Sequence, residues 1–179
     1  MNTIKVTPTT ASKINSIDFK NLGFGTVFSD HMLVCDYKNG IWGTPEIVPF
    51  QPISLMPSAK IFHYGQSIFE GMKAYKDVDK KTWLFRPDEN FKRFNISAKR
   101  LSIPELPEAV FMEGLKALLK VDEQWIPTQD GSSLYIRPIM FATGEGFHAS
   151  PADAYKFMIC TAPSGAYFAG KVKVLIEQK

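Results

Sequence analysis

The sequence has few of the residues that would point to a disulfide scaffold, a metal centre or a membrane protein. Only Cys35 and Cys160 occur in 179 residues. Far apart and without a second pair, they supply neither a disulfide framework nor enough thiolates for a metal site. Reduced thiols in a cytoplasmic compartment are the expectation. His31, His63 and His148 have no metal-ligand spacing to one another or to the cysteines, so no metal is expected. Nowhere does an apolar run approach the ~20 residues that span a bilayer, and MNTIKVTPTTASKINSIDF lacks the apolar stretch of a secretory signal. No membrane partner is expected. A surplus of one charge is missing as well. The formal net charge is +3, with Lys and Arg interleaved among Asp and Glu, which leaves no basic footprint for nucleic acid. The dinucleotide G-x-G-x-x-G, the Walker loop and the G-x-S-x-G elbow are all absent.

What the sequence does contain is enough apolar material for one globular core: 45% of residues are hydrophobic and 22% charged. Residues 1–22, rich in Thr, Ser, Asn and Lys, read as an arm laid over a surface or left loose. From Gly23 onward, apolar runs flank Asn39-Gly40, a pair suited to positive φ, and predict a β-hairpin. A third strand is predicted over Glu46 to Ile53, and a second hairpin pairs Met72–Lys76 with Thr82–Phe85 around DVDKK. Asp88 is placed as an N-cap, and Phe91, Phe94, Ala98 and Leu101 follow at helical spacing. A second helix covers Glu108 to Val121, with Val110, Phe111, Leu115, Leu118 and Leu119 inward. Strands return at SLYIRPIMF and YKFMICTAP and, at the end of the chain, at KVKVLI. Grouped strands and grouped helices predict an α+β fold, a largely antiparallel sheet with two helices packed on one face. Because KVKVLIEQK runs to the last residue without a turn or cap, a domain boundary is expected near it: 23–170 is one domain and 171–179 the start of an interdomain segment.

In SLYIRP, strand alternation turns Ser133, Tyr135 and Arg137 to one side and Leu134 and Ile136 to the other. A phenol beside a guanidinium can clamp a carboxylate. On spacing alone, an edge strand with a solvated Arg accounts for the pattern as well or better. Arg93 sits on a helical flank with Ser97 and Arg100, where it either holds a phosphate or lies on an ordinary solvated face. In HYGQSIFEG, aromatic Tyr64 and Phe69 surround two glycines, which suits a ring-lined loop or a core corner equally. The residues by themselves stop at a soluble α+β domain, with an anion-binding face as one of two open readings.

Four longer segments, HYGQSIFEGMKAYK, LFRPDENFKRFNISAKRL, SLYIRPIM and APSGAYF, occur in an order and at separations that resemble branched-chain amino acid aminotransferases, fold type IV enzymes using pyridoxal 5'-phosphate. The resemblance runs from about Gly23 to Gly170, and FSDHM with GTPEIVPFQPISLMPSA adds to it. It implies that Arg93 binds the cofactor phosphate, and that Phe28, Tyr64, Phe69, Tyr135 and Tyr167 line the substrate pocket, with Tyr64 donated across a homodimer interface. It further implies that Arg137 takes the side-chain carboxylate of glutamate, so that one pocket serves L-Leu, L-Ile or L-Val and the 2-oxoglutarate/glutamate pair. The Lys that forms the Schiff base lies, in that family, about thirty residues beyond the GAYF motif. The sequence ends at Lys179, so no catalytic residue is assigned here, and the chain by itself is expected to be inactive and to hold the cofactor weakly at best. The alternatives are a non-catalytic binding or dimerisation module of the same descent, and a relative acting on D-amino acids or aminodeoxychorismate.

Overall fold

The computed structural model describes residues 4–166 and 170–177. Its centre is a pair of long antiparallel strands, β8 (Ser133–Ala142) and β9 (Tyr155–Ser164), joined in register from Ser133 against Ser164 to Ala142 against Tyr155. Strand β2 (His31–Lys38) pairs with the outer edge of β9 and carries β4 (Glu46–Pro49) and the short β3 (Ile41–Trp42). On the other side of β8 lie β5 (Ser67–Phe69) and β6 (Met72–Lys76), and β7 (Thr82–Leu84) closes that edge. Strand β1 (Lys5–Val6) adds to β4 as a parallel exception. The sheet order is β1-β4-β2-β9-β8-β6-β7, so the fold is α+β and mostly antiparallel.

The hairpin turn forms at Asn39-Gly40, with φ of 54° and 81°, the left-handed pair that a two-residue loop needs. β4 stops at Pro49, short of the predicted Ile53; the Phe50 N–H still donates to the Asp30 carbonyl at 2.8 Å, and Pro52 has no N–H to continue the ladder. HYGQSIFEG, read from the sequence as a ring-lined loop or a core corner, is divided between the end of α1 (Lys60–Tyr64), a single turn ended by left-handed Gly65, and the strand β5. α2 (Pro87–Arg100) begins two residues earlier than expected. Pro87 occupies the first turn, where its missing N–H costs nothing, and Arg86 is the cap residue with φ 49°; Asp88 lies inside the helix rather than capping it. There Asp88 and Glu89 face the positive end of the helix dipole. α3 (Glu108–Val121) has the predicted bounds.

α2 and α3 cover one face of the sheet. Phe94 and Ala98 from α2, and Phe111, Leu115 and Leu118 from α3, are fully buried against Leu33, Ile136 and Phe157. Rings of Phe94, Phe111 and Phe157 meet pairwise at 5.7 to 5.9 Å, spacing at which aromatic pairs add about 0.5–1.5 kcal/mol each beyond burial. The opposite face carries a smaller cluster of Met32, Phe141 and Met158, roofed by Leu55 and Ile61. The N-terminal arm is laid over the body: Ile4, Ile14, Ile17 and Phe19 pack on the main core. Residues 171–177 are exposed and irregular, so the predicted KVKVLI strand does not form over this stretch, which pairs with no strand among the described residues.

Candidate active-site face

Strand alternation sorts the side chains at the β5–β6–β8 junction. Register places Phe69 opposite Ile139 and Lys73 opposite Tyr135, so Phe69, Tyr135 and Arg137 share the face away from α2 and α3. The Tyr135 hydroxyl accepts from Arg137 Nε at 3.1 Å and Nη2 at 2.8 Å. The Arg137 guanidinium also lies over the Phe69 ring, 4.3 Å from its centroid, within cation–π range. Phe24 packs edge-on against Tyr135 at 5.0 Å. One arginine is thus fixed by a phenol and a ring while its Nη1 edge makes none of these contacts. Ser133, on the same alternation, is buried, and its hydroxyl has no hydrogen-bond partner among the described residues.

Between β5 and β6 the ladder breaks at Glu70-Gly71, opposite Pro138, which has no N–H to give. Glu70 falls on the helix side, and its side chain is only 5% exposed. Its carboxylate accepts from Arg93 Nε at 2.5 Å and Arg93 Nη2 at 2.8 Å, from Asn90 Nδ2 at 2.9 Å and from the Gly71 N–H at 3.3 Å. Burial pushes the Glu70 carboxyl up, but the bonds from Arg93 and Asn90 outweigh it and hold the group below the ordinary glutamate range. The same hydrogen bond, and the Coulomb attraction of Glu70, raise the Arg93 guanidinium. Arg93 itself is 67% exposed.

Gly71 joins the two parts. Its carbonyl accepts from Asn90 Nδ2 at 3.3 Å, and a Cβ there would come within 2.6 Å of the Tyr135 hydroxyl oxygen. Only glycine leaves the phenol its place. Gly71, Tyr135 and Asn90 line an open cavity together with Met72, Lys73, Tyr75 and Phe85.

The sequence-nominated residues do not all meet. Phe69, Tyr135 and Arg137 form one cluster, and Arg93 is tied to the residue next to Phe69. Phe28 stands elsewhere, stacked on Phe50 at 4.9 Å and 13°. Tyr64 donates its hydroxyl to the Phe147 carbonyl beside His63 and is half exposed. Tyr167 lies outside the described residues. Glu70, Asn90, Gly71 and Phe24 escaped the sequence reading. A signal for Glu70 was present, since alternation puts a carboxylate in line with apolar Ile68 and Met72.

A second polar cluster was also missed. His31 Nε2 accepts from the Thr9 N–H at 3.0 Å, so the ring proton sits on Nδ1 and is given to Asp122 Oδ1 at 2.7 Å. Asp122 Oδ2 accepts the His31 N–H at 3.0 Å. Burial raises the Asp122 carboxyl despite these bonds. This pair anchors the arm to the start of β2. Burial also lifts the Cys160 thiol to about 11, against the pull of Arg137, so it is no thiolate nucleophile at neutral pH. Among the described residues, no group of three His, Cys, Asp or Glu side chains could hold a metal ion, and no helix is long and apolar enough to cross a membrane.

No family model matches the chain. Individual relatives do. The branched-chain-amino-acid transaminase 1 of Bacillus subtilis is 45% identical over 152 residues, covering 84% of this chain and 43% of that protein. A branched-chain-amino-acid aminotransferase of Mycolicibacterium smegmatis is 46% identical over 155 residues, covering 86% and 42%. Among solved structures, the Escherichia coli branched-chain amino acid aminotransferase superposes with a TM-score of 0.59 at 25% identity over 77% of this chain and 41% of that one. The T.th. branched-chain amino acid aminotransferase, complexed with N-(5'-phosphopyridoxyl)-L-glutamate, superposes with a TM-score of 0.50 at 27% identity, covering 71% and 39%. The chain spans less than half the length of the curated relatives it matches. By sequence over most of its residues and by fold, the chain is a relative of the branched-chain amino acid aminotransferases, matching a portion that amounts to less than half of one.

Proposed function

We propose that this chain furnishes the cofactor-phosphate and substrate-side-chain half of a pyridoxal phosphate-dependent branched-chain aminotransferase. The reaction moves the amino group of L-Leu, L-Ile or L-Val to 2-oxoglutarate, giving the 2-oxo acid and L-glutamate. The observation that carries the reading is the pair of arginines, each held by a different clamp. Arg93 is gripped on one edge by Glu70 and otherwise open to solvent; Arg137 is gripped by Tyr135 and Phe69 at the rim of a ring-rich face.

Arg93 fits a phosphate. A guanidinium carries five N–H donors. Glu70 takes the Nε edge, and the remaining donors point away from it in the forked arrangement that suits a phosphate dianion. Bound there, pyridoxal phosphate supplies an electron sink for the substrate carbon that loses its proton. Phe69 and Tyr135 offer apolar ring surface to a branched side chain. Arg137 offers its open edge to the distal carboxylate of glutamate, so the same face accepts an apolar and an acidic substrate in turn. Tyr64, bonded to the Phe147 carbonyl and half exposed, and Phe28, stacked on Phe50, are read as pocket residues too, Tyr64 serving the site of a second copy in a homodimer. Tyr167 is read as a pocket residue on the resemblance alone. The lysine that the chemistry requires is assigned to no position of this chain. A cytoplasmic location belongs to the same reading, and the two cysteines, both free thiols, agree with it.

The test is amino transfer by the full-length gene product. L-leucine with 2-oxoglutarate is the expected pair, and D-alanine is expected to be inert. Arg137→Leu removes charge-assisted hydrogen bonds of about 1.5–3 kcal/mol, so the KM for 2-oxoglutarate should rise roughly 10- to 100-fold while that for L-leucine changes little. Turnover of D-alanine alone, or equal effects on both substrates, would contradict the reading.

A further inference from the structure

The geometry assigns Glu70 as the positioning residue of the phosphate site: a buried carboxylate that sets which edge of Arg93 meets the cofactor. This deepens the reading of Arg93 given above and rests on it.

A guanidinium has two forked edges that can bind an oxyanion through two parallel N–H bonds, one formed by Nε with one Nη and one formed by the two Nη atoms. Glu70 occupies the first, with Oε1 on Nε at 2.5 Å and Oε2 on Nη2 at 2.8 Å. What remains is the end-on fork of Nη1 and Nη2, facing away from Glu70. Arg93 is long and exposed, and its two bonds to Glu70 are what fix its rotamer. Without Glu70 it would sample many orientations, and a phosphate would have to order it on binding.

Glu70 can do this because it is itself held. It sits where the β5–β6 ladder is interrupted, its backbone N–H donates to the Pro138 carbonyl at 2.9 Å, and its carboxylate takes further bonds from Asn90 and Gly71. Asn90 and Arg93 leave α2 three residues apart, on one flank of the helix. The helix and the strand junction are thereby locked together at the point where the guanidinium emerges.

The experiment is cofactor binding to the full-length apoprotein, using pyridoxal 5'-phosphate and, as the phosphate-free probe, pyridoxal. The quantity read is the dissociation constant of pyridoxal divided by that of pyridoxal 5'-phosphate, a ratio that reports the phosphate site alone. Glu70→Gln is expected to lower that ratio about threefold to tenfold, the factor that ordering one rotamer-rich side chain costs, with pyridoxal binding unchanged within about twofold. Arg93→Met should lower the ratio further, and Glu70→Gln should add nothing in the Arg93→Met background. Asn90→Ala, which loosens Glu70 while leaving the Arg93–Glu70 pair in place, should lower the ratio in the same direction by less, and it decides the matter should Glu70→Gln fail to fold. An unchanged ratio in Glu70→Gln or, in that event, in Asn90→Ala, while Arg93→Met reduces it, overturns the positioning role and leaves the phosphate role of Arg93 standing. An unchanged ratio in Arg93→Met overturns both.

Discussion

Alanine at position 71 would bring its Cβ to 2.6 Å from the Tyr135 hydroxyl oxygen and to 3.3 and 3.4 Å from Cζ and Cε2 of the same ring. Ordinary contact begins near ~3.5 Å, so the phenol must retreat by roughly 1 Å. It cannot do so freely. Its oxygen accepts two bonds from Arg137, at 3.1 and 2.8 Å, and its ring is packed against Phe24. Overpacking of this kind costs about 1–3 kcal/mol. Gly71 does not have the positive φ that would add backbone strain, and Gly→Ala at such a site recovers about 0.4–1 kcal/mol from the unfolded chain. A net loss of about 1–2 kcal/mol follows. Removing only the offending atom, by Tyr135→Phe, should abolish the penalty, because the ring carbons at 3.3 and 3.4 Å need give only a few tenths of an ångström. Urea denaturation of wild type, both single variants and the double variant gives the coupling energy directly. We expect it to exceed about 1 kcal/mol, in the range measured for contacting residues. Gly71→Ala costs that agree within about 0.4 kcal/mol in the two backgrounds would refute the proposed close approach of Gly71 and Tyr135.

Asn95 mimics a backbone strand partner for the loop between α2 and α3, with Nδ2 donating to the Leu106 carbonyl at 2.9 Å and Oδ1 accepting the Leu106 N–H at 2.9 Å. Asn95→Ala should lose about 2 kcal/mol for two bonds, less about 0.5 kcal/mol of helix propensity regained; a shift in denaturation midpoint corresponding to under about 0.5 kcal/mol would contradict it. Glu70 predicts a pH dependence. Its folded-state carboxyl is held below the ordinary value of 4.5, so the folded protein binds fewer protons there than the unfolded chain, and the stabilisation is present above that value and lost as pH falls through the lower folded one. The stability gap between wild type and Glu70→Gln should therefore be constant near neutrality and narrow in acid. A gap independent of pH down to about 3 would count against the Arg93–Glu70 pair.

Much of the fold was legible because its signals are local. Asn39-Gly40 dictates a hairpin from backbone conformation alone, and Phe111, Leu115 and Leu118 trace a helix face by period. The β1–β4 pairing carried no such signal, since Lys5 and Val6 meet Glu46 and Ile47 from far along the chain. Pro87 reads as a strand terminator in the sequence when it is also a first-turn residue, which displaces the expected cap from Arg86 to Asp88. Gly114 in mid-α3 looks costly in a helix, and its reason is tertiary: a Cβ would strike Leu33 at 2.6 Å. In the site, Tyr135 beside Arg137 was readable from alternation, because two residues on one strand fix their own geometry. Arg93 with Glu70 was not, because the partners come from a helix and a strand junction 23 residues apart. Sequence marked both cations and the phenol beside Arg137; folding revealed what holds Arg93.

With Arg86, Arg93, Arg100 and Arg137 the only arginines of the sequence, their side-chain Nε–H signals form a sparse nitrogen-correlated NMR spectrum in which even weak binding is visible. Titrating pyridoxal 5'-phosphate against pyridoxal into the labelled chain tests most directly whether Arg93 is the phosphate ligand. The Arg93 signal is expected to move with the phosphate ester and stay fixed with pyridoxal, and Arg137 to respond instead to 2-oxoglutarate. An Arg93 signal indifferent to the phosphate, with Arg86, Arg100 or Arg137 moving in its place, would contradict it.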